Sequence, residues 1–169
     1  MGFKRLFYIF LFSLLALSCK ENQQEYPVTI DSIPLNQSQQ RVVDLSHLFS
    51  EVKIDSLIKK ILHYEEKTTN QIAILTIDSL PKHTSIQKYG TEVANNWGVG
   101  TKEKNNGLLI TISKYDRNVA ISTGIGTAQT ISDNACKAVI DSIMIPQFKI
   151  KNYYKGVDKA LDSLIYLWD

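Results

Sequence analysis

Trp97 to Asp133 reads WGVGTKEKNNGLLITISKYDRNVAISTGIGTAQTISD, two apolar runs bracketed by turn-forming residues. Asn105-Asn106-Gly107 opens the first run, and Lys114-Tyr115-Asp116-Arg117 reverses the chain into the second, so Gly107 to Ser113 and Asn118 to Thr123 are expected to pair as antiparallel strands. Gly124-Ile125-Gly126 then brings bare backbone to the start of a helix. A functional site is expected around this stretch, although spacing alone names no reaction.

Upstream, Gln71 to Ile77 is a continuous apolar strand, as expected when both faces of a sheet are covered. Ile54, Leu57, Ile58, Ile61 and Leu62 follow helical spacing and place one apolar stripe on a helix from about Glu51 to Lys67. A loop with Pro81 leads to a second helix carrying Ile86, Tyr89, Val93 and Trp97 inward. The right-handed rule for strand, helix and parallel strand places this second helix on one face. Downstream, Thr130 or Ser132 can cap a third helix through Ile143, which Pro146 is expected to close. A last helix near Asn152 to Trp168 is expected to bury Tyr154, Val157, Leu161, Leu164, Ile165 and Trp168. Three strands and four helices make one α/β domain, a three-layer α/β/α sandwich with a small mixed sheet, over residues 42–169.

The N-terminal part is organised differently. Lys4 and Arg5 precede an apolar run, Leu6 to Leu17, too short to span a bilayer as a helix, and residues 1–18 read as a lipoprotein signal peptide. Ala16-Leu17-Ser18-Cys19 resembles a bacterial lipobox, which would make Cys19 the lipidated N-terminus; the competing reading is an uncleaved single-pass anchor. Each acyl methylene buried in lipid contributes about 0.8 kcal/mol, so several chains on Cys19 would hold the protein to a membrane. Residues 19–41, rich in Gln, Asn and Ser with Pro27 and Pro34, read as a polar tether with a reach of roughly 25 Å. Short apolar pieces such as Tyr26 to Ile30 are candidates for docking as an edge strand.

Removal of residues 1–18 takes away two of the 19 basic residues and leaves them equal in number to the 17 acidic ones. That neutrality argues against nucleic acid as a partner and against an electrostatic membrane patch. Cys136 is the only other cysteine, so no intrachain disulfide is expected, and its apolar neighbours Ala135, Ala138, Val139 and Ile140 make it a buried hydrophobe. No G-x-S-x-G elbow, P-loop, H-E-x-x-H, C-x-x-C or D-x-D motif is present. Gly124-Ile125-Gly126 is a fragment of a dinucleotide fingerprint with Gln129 at the third glycine position, and no nicotinamide cofactor is expected.

What remains is a set of oxygen-bearing groups: Asp44, Asp78, Ser79, Asn105, Asn106, Thr130, Ser132 and Asp133. Gathered at one sheet end, such groups suit a hard cation, calcium or magnesium, which takes carboxylate, amide and carbonyl oxygens alike. The competing reading is capping and turn chemistry at each position separately.

Val42-Val43-Asp44-Leu45, Trp97-Gly98-Val99-Gly100, Asn106-Gly107-Leu108-Leu109, Arg117, Gly124-Ile125-Gly126, Asp133, Ile145-Pro146-Gln147-Phe148 and Tyr153-Tyr154-Lys155-Gly156 together resemble the TPM domain family of thylakoid-lumen repair proteins and bacterial envelope proteins. The resemblance covers nearly all of residues 42–169. It implies an α/β/α fold, calcium binding in some members, acid phosphatase activity in some and assembly roles in others. Two departures bear on this: Ala128 stands where members commonly carry Glu, and Asn105 where they often carry Asp. Both remove charge that a divalent cation needs.

Two main readings follow. One is a lipid-anchored protein of the bacterial cell envelope, acting by binding another envelope protein as an assembly or quality-control accessory. The alternative is a calcium- or magnesium-assisted acid phosphatase, with Asp44, Asn106 and Asp133 as metal ligands, Arg117 at the phosphate oxygens, Asp133 and Arg117 as the catalytic candidates, and Gly124 and Gly126 offering backbone to the ligand. A solute-binding lipoprotein is a third and more remote reading, since a single compact domain has no second lobe to close on a solute.

Overall fold

The computed structural model describes residues 27–29 and 32–169; the signal segment, Cys19 and the first part of the tether lie outside the described residues. Four strands form one sheet in the order β1 (Val42–Asp44), β2 (Gln71–Ile77), β3 (Gly107–Ser113), β4 (Asn118–Thr123). The first three are parallel and β4 returns antiparallel to β3. Helices α1 (Glu51–Thr68), α2 (Ile86–Trp97), α3 (Ile125–Ala128), α4 (Asp133–Val139), α5 (Ile145–Lys149) and α6 (Tyr153–Trp168) complete the α/β/α sandwich. The expected strands and their antiparallel turn are present. The three-residue β1 is an addition, too short to announce itself by hydrophobic period.

Alternation along β2 divides the core in two. Ile72 and Ile74 point to one face, where Leu57 and Ile61 of α1, Val139 of α4 and Val157, Leu161 and Leu164 of α6 close over them. Ala73, Leu75 and Ile77 point to the other, where Tyr89 and Val93 of α2 cover them. At about 25 cal/mol per Å² of apolar area removed from water, these two layers are the main source of stability. Leu62, expected on the inward stripe of α1, is 47% exposed, and Tyr64 takes its place in the core. Cys136 is buried as expected, and burial, with the nearby Asp133 carboxylate, pushes its thiol up to about 11. It is an inert packing group at neutral pH.

The sheet advances from β1 to β2 to β3 in one direction, yet α1 and α2 lie on opposite faces. The two crossovers therefore have opposite hands, and the right-handed rule holds for only one of them.

The third helix also departs from expectation. Ser132 caps α4, its hydroxyl accepting from the Ala135 amide at 3.3 Å, but Pro146 does not end the helical path. A π-turn over Ile140–Met144 intervenes, and Pro146 falls in the first turn of α5, where no N–H is required of it.

The α2 face is thinner, and the segment read as a tether helps to cover it. Val28 and Ile33 pack against its core, the Tyr89 hydroxyl donates to the Ser32 carbonyl at 2.9 Å, and Trp97 Nε1 donates to the Pro34 carbonyl at 2.8 Å. Arg41 then clasps Glu65 of α1 through Nε and Nη2 at 2.7 and 2.6 Å. The described part of residues 27–41 is thus docked on the domain; residues 27–29 form no strand, and Tyr26 and Ile30, the ends of the edge strand considered there, lie outside the described residues. Among the described residues no helix is long and apolar enough to cross a membrane.

Candidate functional site

Parallel strands give the sheet two chemically distinct ends. At the end where β2 and β3 begin, backbone meets backbone. A Cβ on Gly107 would lie 2.0 Å from the Val99 carbonyl oxygen, and one on Gly126 would lie 1.9 Å from that of Lys104. No other residue type permits that approach. The loop before β3 and the turn after β4 are clamped by this contact, with the Gly126 amide donating to the Asn105 carbonyl at 3.1 Å and the Thr127 hydroxyl to the Gly107 carbonyl at 2.9 Å.

Asn106 is the polar centre of this end. Its Oδ1 accepts from the amide and the hydroxyl of Thr101, at 3.0 and 3.2 Å, while its Nδ2 donates to the Thr69 carbonyl and to Asn70 Oδ1, at 2.9 and 3.1 Å. The amide side chain is saturated by protein partners and 5% exposed. Asn105 adopts left-handed backbone, φ 48°, which asparagine tolerates better than most residues. Beyond the clamp, Ile125 is 78% exposed at the start of α3, and Ala128 is exposed at its end.

At the opposite end, where β1, β2 and β3 finish, side chains hold the turns. Asp44 Oδ1 accepts from the Leu48 amide at 3.0 Å and Oδ2 from the Phe49 amide at 2.8 Å, while the Thr76 hydroxyl also donates to Oδ1. The carboxylate thereby winds residues 45–49 into the approach to α1. Lys114 Nζ reaches across to the Ser46 carbonyl at 3.0 Å. Asp116 receives the Ser113 hydroxyl at 2.6 Å and the Leu80 amide at 2.7 Å, and these two donors hold its carboxyl below the usual range. Arg117 stands in the β3–β4 turn with φ 52°.

The cation set expected from Asp44, Asn106 and Asp133 is not assembled. Asp44 pairs in register with Thr76, whereas Asn106 precedes Gly107, the partner of Gln71. Asn106 thus lies level with Asn70, and the six-residue offset from Thr76 separates it from Asp44 by about 20 Å at the ordinary strand rise. Calcium ligands all sit within about 2.6 Å of one ion, so Asp44 and Asn106 cannot share it. Asp133, exposed in the first turn of α4, follows α3 on the Gly124 side, and its side chain makes no hydrogen bond among the described residues. Arg117 belongs to the Asp44 end, away from Gly124, Gly126 and Asn106. Among the described residues, no three His, Cys, Asp or Glu side chains converge where a metal ion would sit. The residues at which family members carry acids, Asn105 and Ala128, both fall at the glycine-clamped end.

Four participants escaped the sequence reading. Thr69 and Asn70 hold Asn106, and their one signal is the Lys67-Thr68-Thr69-Asn70 helix ending, with Thr69 left-handed at φ 66°. Lys149 and Lys151 gather with Arg117 around a cleft; nothing in their spacing announces it.

Glycine-clamped loops over a mixed four-stranded sheet, closed by helices on both faces, define a small α/β/α domain of one recognisable class. Residues 42–167 match the TPM domain, and the chain belongs to that family. Solved structures share the fold. The N-terminal domain of a P. gingivalis protein is 23% identical, with a TM-score of 0.73 over 84% of this chain and 92% of its own. The N-terminal domain of the cg2496 protein from Corynebacterium glutamicum is 14% identical, with a TM-score of 0.61 over 85% of this chain and 88% of its own. The BA42 protein of Bizionia argentinensis is 16% identical, with a TM-score of 0.62 over 74% and 88%. No curated protein matches the chain.

Proposed function

We propose that this protein acts by binding: a TPM domain held at a bacterial envelope membrane through a lipidated Cys19, serving another envelope protein as an assembly or quality-control accessory. The observation that carries the reading is the glycine-clamped end. Its buried amide, Asn106, is consumed in fixing the loops, and the one large apolar side chain it turns outward is the exposed Ile125, on a backbone that the Gly107 and Gly126 contacts hold in place. A rigid, preorganised surface with an apolar contact favours association because little entropy is lost on docking. Ion-assisted phosphate hydrolysis needs a cation held among several anionic oxygens, and the separation of Asp44 from Asn106 works against it.

The test is site-specific photocrosslinking of the full chain in cells, with the crosslinker at Ile125 and, as a control, at the equally exposed Tyr166 of α6. A discrete adduct at position 125 that is missing at position 166 is expected. Equal, diffuse labelling at both positions, together with chelator-sensitive turnover of p-nitrophenyl phosphate by the purified protein, would replace this reading with the phosphatase.

A further inference from the structure

A cleft of about 490 Å³ opens between the β3–β4 turn and the α5–α6 connection, within the size range of small-molecule sites. Its character is divided. Arg117, Lys149 and Lys151 line it together with Lys114, and among the described residues no carboxylate lines it. Lys114 is engaged by the Ser46 carbonyl, but the side chains of Arg117, Lys149 and Lys151 have no hydrogen bond or ion pair among the described residues. Beneath these cations lie Val119, Phe148 and Tyr153.

The apolar wall is built, not incidental. Phe148 and Tyr153 pack ring to ring, with centroids 5.0 Å apart. Phe148 in turn occupies the space that a side chain at Gly156 would need, its ring 2.7 Å from where a Cβ would stand. The aromatic pair is thereby anchored against α6. Two of the cations also sit where backbone conformation opposes them: Arg117 and Lys151 have φ of 52° and 59°, left-handed positions at which a residue with a Cβ costs about 1 kcal/mol. Glycine or asparagine would suit both turns better, and strain of this kind is concentrated at functional sites. Three like charges without a side-chain partner, brought from two segments to face one concavity, repel each other until an anion joins them.

We propose that this cleft binds a small organic anion, its carboxylate, phosphate or sulfonate group held by Arg117, Lys149 and Lys151 and its apolar body seated on Val119, Phe148 and Tyr153. Arg117 offers a planar fork for two oxygens, and the lysines add charge-assisted donors from the opposite wall. An inorganic oxyanion alone would leave the aromatic wall uncovered; a neutral hydrocarbon would leave the cations unpaired. Affinity therefore requires both parts. The site is separate from the Ile125 surface and stands or falls without it.

The experiment uses the full chain in nanodiscs of zwitterionic lipid, with empty nanodiscs as the blank, and naphthalene-1-sulfonate as a probe that cannot be hydrolysed. Binding is followed by amide and aromatic NMR shifts at Arg117, Phe148, Lys151 and Tyr153. Saturable shifts are expected there, with inorganic sulfate and 1-naphthol each binding at least about tenfold more weakly, since each lacks one set of contacts worth about 1.4 kcal/mol or more. Arg117→Asn with Lys151→Asn removes two charges while retaining a residue suited to left-handed backbone, so the variant should remain folded and lose about tenfold or more in affinity. Sulfate binding as tightly as the probe would reduce the site to a plain oxyanion hole, and naphthol binding as tightly would reduce it to an apolar slot; either result overturns the proposal, as does unchanged affinity in the double variant. Repeating the titration in nanodiscs containing phosphatidylglycerol separates two sources of the anion: competition with the probe identifies a lipid headgroup, and unaltered binding identifies a soluble ligand.

Discussion

The two ends of the sheet are held by different means. At the Asn106 end, glycines let main chain touch main chain, and the side-chain amide of Asn106 fills all of its hydrogen-bonding positions inside the loop. At the Asp44 end, a carboxylate collects two amides and a hydroxyl while cations collect around a cleft with no acid to meet them. The first end is geometrically closed by its backbone contacts, and its exposed rim carries one large apolar side chain, Ile125, among polar residues such as Glu103 and Gln129. The second is electrostatically open. The difference shows why a roster of polar residues is a poor guide to a site: Asp44 and Asn106 are both spent on architecture, while Arg117 is joined by Lys149 and Lys151, whose sequence positions carry no motif.

The sharpest way to break the comparison is at the glycines. Gly126→Ala drives a Cβ into the Lys104 carbonyl and should cost about 3 kcal/mol in urea unfolding of the full chain. Gly98→Ala, where φ is 67° but nothing lies within 4 Å of the added atom, should cost only about 1 kcal/mol. Equal losses would mean that close approach is not what holds this end together.

Asp44→Ala removes the acceptor for Leu48, Phe49 and Thr76 and should cost about 2 kcal/mol. Its increased hydrogen exchange should be confined to residues 44–50 and the start of α1. Loss of protection around Asn106 as well would show that the two ends are not independent.

A gain of function sharpens the contrast further. Asn105→Asp with Ala128→Glu restores acids at the glycine-clamped end, and calcium should then raise the unfolding free energy by about 1.4 kcal/mol at tenfold excess over Kd. The rise should survive Asp44→Asn. Were calcium to act only with Asp44 intact, the assignment of charge loss to one end would be wrong.

The smallest effect concerns the thin face. Trp97→Phe deletes the bond to the Pro34 carbonyl and should cost about 1 kcal/mol, with faster proteolysis near residues 32–34 as the visible sign. No change in proteolysis would show that packing of Val28 and Ile33 suffices to dock this segment.

Much of the fold was legible along the chain because its signals are local. The run Gln71 to Ile77 and the pair Gly107 to Ser113 and Asn118 to Thr123 emerged with their expected bounds. The helical stripes of α1, α2 and α6 needed only correction at their margins, as with Leu62. β1 was missed because three residues carry no period, and the continuation past Pro146 because a π-turn leaves no compositional trace. The site was less legible. Convergence of Asp44 with Asn106 assumed a shared sheet end, and only strand register shows that they occupy opposite ones.

Taken alone, the sequence determined three of the four strands and the main helices, because hydrophobic period and turn chemistry act between near neighbours and do not depend on the rest of the molecule, and its motifs carried the resemblance to the TPM domain family. The tertiary structure alone decided the opposite hands of the two crossovers, the docking of the Ser32 to Pro34 stretch on α2, the separation of the acidic and amide groups, and the gathering of Arg117 with Lys149 and Lys151. These depend on where distant segments meet, and that is set by the packing of whole faces against one another, which no local pattern encodes.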